Sequence, residues 1–394
     1  MANNNDGRVE RTSYSMSDLS EFTDDELGEI THFNIVETEV ELVGDYPTAR
    51  YKYNPLSLRI GLCTKMKALN MTYCSVIPSE ISSCTMLEAM TLCSVNDCDD
   101  CRIDLPPGVV LQKLSRVGIS GVNFDSKQAG DATSEIMSWL ASCSQNLRQL
   151  YFTRLTKDAS ILFMRMLQKD EAFINTFKYT LHWLSFDNCN LNEADAQLIL
   201  FDITKLYPKL MCIDLSNNNI EGFKTIGKAV SEVPPTNESP LNLMQLYLNG
   251  NPFFGNLTDP ESPDSVAMIC MLKKHKRLMS IKCNDDNKTT YSSTIDYWLM
   301  INGSWLRSRL DDGHGGTKLR FFPILLYRVY KQRGQDPTTI FTFLREGPIF
   351  RTNYQNNVDY GNVHDDDDGD DNDNRICCFM VPFTSLFLRR GPTE

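Results

Sequence analysis

Histidine is scarce in this chain. Its 394 residues hold five (His32, His182, His275, His314 and His364), scattered along the length with no nucleophile and base readable beside any of them. There is no G-x-x-x-x-G-K-[ST] phosphate loop and no G-x-S-x-G nucleophile elbow. The expectation is therefore no catalytic residue, no cofactor, no metal and no enzyme. No apolar run approaches the roughly 18 residues that a spanning helix needs. Positive charge is also short: the formal net charge is −12, and no basic stripe of the kind that reads nucleic acid is present. The opening Met1-Ala-Asn-Asn-Asn-Asp lacks a basic region and an apolar region, so no secretory leader is expected. With thirteen cysteines, that places the chain in the reducing cytosol, or the nucleus, with free thiols.

The acidity sits at the ends. Residues 1–30 carry eight acidic side chains against Arg8 and Arg11, and residues 365–373 carry seven aspartates and no base. The rest is close to neutral. Such stretches bury too little apolar surface to fold, so both read as disordered.

What is present is a repeat. The pattern L-x-x-L-x-L-x-x-N/C-x-L appears three times in register: Leu181, Leu184, Phe186, Cys189, Leu191; then Leu210, Ile213, Leu215, Asn218, Ile220; then Leu243, Leu246, Leu248, Asn251, Phe253. Weaker copies begin at Met66, Leu87, Leu114, Leu147 and Leu278, with a mean step of about 30 residues. In the first of these, Cys74 takes the Asn/Cys slot. The fourth and sixth positions alternate as in a strand with one buried face. The Asn or Cys falls in the turn after the strand, where its side chain can satisfy backbone groups left open by the bend. Between the later copies, "DATSEIMSWLASC", "ASILFMRMLQ", "EADAQLILFDITKLY" and "PDSVAMICMLKKH" have apolar residues at helical spacing. Asn192 and Ser262 are placed as N-caps, the second followed by Pro263.

These residues make the chain resemble leucine-rich-repeat proteins of the ribonuclease-inhibitor-like class, over roughly Met66 to Cys283. The early "VIPSEISSCTML" is similar to the short plant-type repeat, and the hybrid resembles uncharacterised algal leucine-rich-repeat proteins. The resemblance implies an α/β solenoid, a horseshoe with a parallel concave sheet and outer helices. It also implies a binding role.

The domain reading follows: 1–30 acidic and disordered, 31–65 an N-terminal cap with one or two strands in "FNIVETEVELV", and 66–290 the leucine-rich-repeat domain. Then come 291–355 as a small helical C-terminal module with a helix start at Asp336-Pro337, 356–375 as an acidic linker, and 376–394 as an apolar segment. Cys93, Cys98 and Cys101 do not complete a zinc set, which takes four ligands, and read as a loop with incidental thiols. The "HDDDDGDDNDN" run fails as a calcium loop, since aligning Gly369 puts His364 first and Arg375 twelfth. Membrane contact through residues 376–390, with Cys377 and Cys378 as lipidation sites, is the less favoured alternative to packing on the body or docking as a tail.

In each strand the third, fifth, seventh and eighth positions face the concave side. Most are small and polar. Trp183, Tyr151, Tyr247, Arg116 and Arg154 stand out, with Asp187 and Asp214 beside them. Trp, Tyr and Arg dominate interface hot spots. The expected function is a non-catalytic scaffold that binds a protein partner of unknown identity there. The alternatives are a regulator of a small GTPase, by fold analogy alone, and a membrane-associated adaptor.

Overall fold

The computed structural model describes residues 19–20, 22–36, 40–43, 48–51, 54–55, 58–72, 74–93, 105–121, 129–223, 242–252, 257–274, 277–283 and 292–303. The readings of Asp336-Pro337, of the acidic run and of the apolar segment lie outside them, as do Cys98 and Cys101.

The strands in chain order are β1 (His32–Val36), β2 (Val40–Val43), β3 (Thr48–Tyr51), β4 (Asn54–Pro55), β5 (Ala68–Thr72), β6 (Cys74–Val76) and β7 (Ala89–Cys93). They continue with β8 (Arg116–Ser120), β9 (Gln149–Thr153), β10 (Trp183–Asp187), β11 (Cys212–Asp214), β12 (Gln245–Tyr247) and β13 (Ser280–Lys282). Nine of them form one parallel sheet in the order β1-β5-β7-β8-β9-β10-β11-β12-β13. Each repeat adds one strand beside the last, so the chain is a leucine-rich-repeat solenoid. The register follows the repeat: third positions pair with third positions, as in Arg116↔Gln149, Gln149↔Trp183, Trp183↔Cys212 and Cys212↔Gln245.

The apolar slots build the core. Leu181, Leu184, Phe186 and Leu191 are 0% exposed, and Leu147, Leu150 and Phe152 before them and Leu210, Ile213, Leu215 and Ile220 after them are buried as well. Phe152 and Phe186, in the same slot on adjacent strands, stack at 4.7 Å. Early connections are short, with 3-10 turns at Leu58–Leu62 and Ser79–Ser83 that bury Ile60 and Ile81. Later ones carry helices: α2 (Ala129–Cys143), α3 (Lys157–Lys169), α4 (Glu171–Phe177) and α5 (Glu193–Gln197). The last of these runs through a π turn at Leu198–Ile203 into α6 (Thr204–Leu206). Asn192 caps α5 by accepting from the Ala194 and Asp195 amides. α7 (Pro263–Lys274) begins as expected, with Ser262 Oγ accepting from the Ser265 amide at 3.1 Å.

Three findings differ from the sequence reading. β1 is the first strand of the main sheet, since Phe33 pairs with Leu69 and Ile35 with Met71. Ile30, Phe33 and Ile35 thus occupy the first, fourth and sixth slots of a repeat ahead of Met66. The acidic N-terminal stretch is also structured from Leu19. Helix α1 (Asp24–Glu29) opens with a Thr23/Glu26 capping box and buries Leu27. Arg59 fastens it, donating to the Leu19 and Phe22 carbonyls and pairing with Asp24 at 2.9 Å. Apolar residues inside the acidic run, Leu19 and Leu27, make this possible, both being buried. Lastly, residues 74–76 form β6, paired with β4, so the backbone at Cys74 is a strand.

At the other end, α8 (Ser293–Gly303) packs on α7. Ile295 is buried, and Asn302 Nδ2 donates to the Leu272 and Leu278 carbonyls at 3.0 Å each. Among the described residues no helix is long and apolar enough to cross a membrane.

Candidate functional site

Two side-chain ladders hold the strands where their open face can work. The first is the Asn/Cys slot. Asn218 Nδ2 donates to the carbonyls of Phe186, Leu215 and Ser216, and its Oδ1 accepts from the Cys189 and Leu191 amides. Asn251 repeats this one strand on, donating to Leu215 and Leu248 and accepting from Ile220. Cys189 fills the slot with a weaker donor, its thiol reaching the Phe152 and Asp187 carbonyls.

The second ladder is in the backbone. Every described eighth position is left-handed: Gly121 (φ 68°), Arg154 (55°), Asn188 (53°), Asn217 (56°) and Gly250 (69°). That conformation turns the amide along the solenoid, so Gly121, Arg154, Asn188 and Asn217 donate to the carbonyls of Thr153, Asp187, Ser216 and Asn249. Gly and Asn tolerate this region; Arg does so only under strain.

On the open face the structure brings Tyr151, Trp183 and Tyr247 together. Trp183 lies 6.1 Å from Tyr151 and 5.6 Å from Tyr247, the latter stacked at 28°. Trp183 is on β10 and Tyr247 on β12, so the indole reaches across β11. Cys212 on β11 is consequently buried, at 5% exposure, and is not presented on the face as its third position suggested. Ser185 is buried as well. The Trp183 Nε1 is buried with no acceptor among the described residues.

The tyrosines are set by a repeated tripeptide, Gln-Leu-Tyr, at 149–151 and 245–247. Each tyrosine hydroxyl donates to the glutamine of its own strand, Tyr151 to Gln149 at 2.8 Å and Tyr247 to Gln245 at 3.2 Å. Lys282 Nζ sits 4.8 Å above the Tyr247 ring, a cation–π contact that extends the row to β13. The repeat pattern puts Gln149, Gln245 and Lys282 on the open face but does not single them out, although the twin tripeptide was there to find.

The charged candidates divide in two. Arg116 and Arg154 are exposed, on the β8–β9 side. Asp187 and Asp214 lie on β10 and β11 and form no ion pair among the described residues. Asp187 Oδ1 accepts from Asn217 Nδ2 at 2.8 Å. Asp214 Oδ1 accepts from the Ser216 amide at 3.0 Å, and its Oδ2 from Ser185 at 3.5 Å. Burial raises the pKa of Asp187 above the ordinary 3.8; the Asn217 hydrogen bond opposes this, the Asp214 charge adds to it, and Arg154 opposes it. Protonation therefore favours the folded state, a contribution complete below 3.8 and lost as pH rises through the folded value. Asp187→Asn, which removes the charge, is expected to raise the Tm at about pH 7, with the gain shrinking towards about pH 3. Thermal unfolding followed by circular dichroism across that range checks it; a gain independent of pH would contradict the assignment.

The thiols of the core are unsuited to nucleophilic work. Burial raises Cys189 to about 11 and Cys84, Cys143 and Cys212 to about 12, so almost no thiolate forms at neutral pH. Cys93 is also raised by burial. Among the described residues no group of three His, Cys, Asp or Glu side chains could hold a metal ion.

No protein-family model matches the sequence, and no curated protein matches it. Solved structures similar to it include the Caenorhabditis elegans tropomodulin C-terminal domain, at 10% identity and a TM-score of 0.30 over 48% of this chain and 98% of that one. A Listeria monocytogenes internalin is similar at 12% and 0.28, over 68% of this chain and 59% of its own. A leucine-rich-repeat protein of Leptospira interrogans is similar at 15% and 0.24, over 65% and 62%. This chain thus spans less than two thirds of the latter two. The repeat assignment rests on its own strand register and Asn ladder.

Proposed function

We propose that this chain is a non-catalytic scaffold that takes a protein partner on the concave, strand-lined face. The observation that carries the reading is the Tyr151–Trp183–Tyr247 row, three half-buried rings side by side on otherwise small polar strands. Aromatic anchors of this kind concentrate binding energy. The helices on the later repeats support the likeness to the ribonuclease-inhibitor-like class. The poorly ionised thiols suit a reducing compartment, the cytosol or the nucleus, and argue against a cysteine nucleophile.

The test is affinity capture from cell extract with the full chain and with Trp183→Ala, followed by titration of the purified partner. The variant is expected to stay folded, because the core slots lie on the other side of the sheet, and to bind on the order of 100-fold more weakly. Equal affinity of a folded Trp183→Ala chain would remove the concave row from the interface.

A further inference from the structure

The aromatic row does not lie in a neutral setting. Its middle, on β10 and β11, carries Asp187 and Asp214. Each is held by hydrogen bonds from Asn217 or from Ser185 and the Ser216 amide, and neither is ion-paired among the described residues. Asp187 keeps its second carboxylate oxygen without a donor among the described residues. Asp214 is close enough for its charge to oppose the ionisation of Asp187, so the region gains from an incoming cation. The rings beside them are of the kind that receives one, and Lys282 already does so at Tyr247. Among the described residues the row is bordered by positive charge: Arg116 and Arg154 lie on the β8–β9 side, Arg154 near enough to act on Asp187, and Lys282 stands over Tyr247 from β13.

We infer that the face recognises a single arginine in an extended segment of the partner, its guanidinium lying on the Tyr151–Trp183–Tyr247 row and reaching the Asp187 and Asp214 carboxylates. The inference rests on the concave-face reading above and names the chemistry of what binds there. An arginine fits better than a lysine because its planar fork can stack on rings while donating to two carboxylates. A uniformly basic stretch does not fit, because its further charges would meet Arg116, Arg154 and Lys282. The charge order asks instead for neutral or acidic neighbours, above all towards β8.

The experiment is selection of displayed random peptides on the immobilised full chain, with counter-selection on Trp183→Ala. The enriched sequences are then synthesised and titrated. Enriched peptides are expected to share one arginine and to outcompete a polyarginine control. They should lose affinity on the order of tenfold or more on the double variant Asp187→Asn, Asp214→Asn, and weaken as salt is raised. The asparagines keep the shape and the acceptor atoms, and circular dichroism confirms that the double variant folds. Peptides that need Trp183 but lack an arginine, or that bind the double variant as well as the parent, overturn arginine recognition and leave the scaffold reading standing. Peptides indifferent to Trp183→Ala overturn both. A selection with no enrichment overturns arginine recognition alone.

Discussion

Asn218→Ala is expected to lower the unfolding free energy by about 3–5 kcal/mol, the largest effect of any single polar side chain considered. The side chain is 7% exposed and makes five hydrogen bonds, all to backbone, spanning two repeats. Alanine strands two buried amides, of Cys189 and Leu191, and takes a donor from the Phe186 carbonyl, while Leu215 keeps Asn251 Nδ2 and Ser216 keeps the Asn188 amide. Each buried group so stranded costs roughly 1–3 kcal/mol, reduced where the turn can relax or admit water. The slot predicts a ranking as well as a size. Asn251 makes fewer strong bonds, with one amide acceptor contact at 3.1 Å and its longest donor contact at 3.5 Å, so Asn251→Ala should cost less. Cys189 offers only a thiol, at 3.3 and 3.5 Å, so Cys189→Ala should cost least, about 1 kcal/mol. Chemical denaturation gives the order, and amide exchange at Leu191 and Ile220 localises it. Because a solenoid is stabilised between neighbours, the exchange should quicken around the damaged turn before the first repeats are affected. Equal losses at all three positions would show that side-chain volume, rather than backbone satisfaction, decides the slot.

The register of the sheet was legible in the sequence because the repeat slots have one physical meaning each. Leu184, Ile213 and Leu246 pair with one another as their shared fourth position requires. The strand face was legible for the same reason, and Tyr151, Trp183 and Tyr247 do meet. What could not be read is how far a long side chain travels. Trp183 reaches past its neighbouring strand and covers Cys212, which the pattern alone had left on the surface. A strand in "FNIVETEVELV" is expected, but its place as the first strand of the main sheet escaped, because the imperfect alternation hides where one strand stops. The spacing of Ile30, Phe33 and Ile35 carried the signal. The α1 segment escaped because net charge describes a stretch, whereas Leu19 and Leu27 act individually.

The eighth position was in plain view and its meaning was missed: Gly121, Asn188, Asn217 and Gly250 are residues that tolerate positive φ, and Arg154 is not. Two substitutions there should move stability in opposite directions. At Gly250, φ is +69° and an added Cβ would lie 2.1 Å from Asn217 Oδ1 and 3.3 Å from its Cα. Gly250→Ala must therefore adopt a disfavoured backbone, at roughly 1–2 kcal/mol, and push the Asn217 amide off Asp187, to which it donates at 2.8 Å. The sum is a loss of about 2–3 kcal/mol. Arg154→Gly relieves the same backbone strain at φ 55°, offset by the greater freedom of glycine in the unfolded chain, for a net gain of about 0.5–1 kcal/mol. Thermal unfolding of the two variants measures both signs. A loss at Arg154→Gly would mean that its side chain contributes more to the fold than its exposure suggests. A gain, accompanied by weaker partner binding, would mean that the strain is tolerated for the sake of a cation at the edge of the aromatic row.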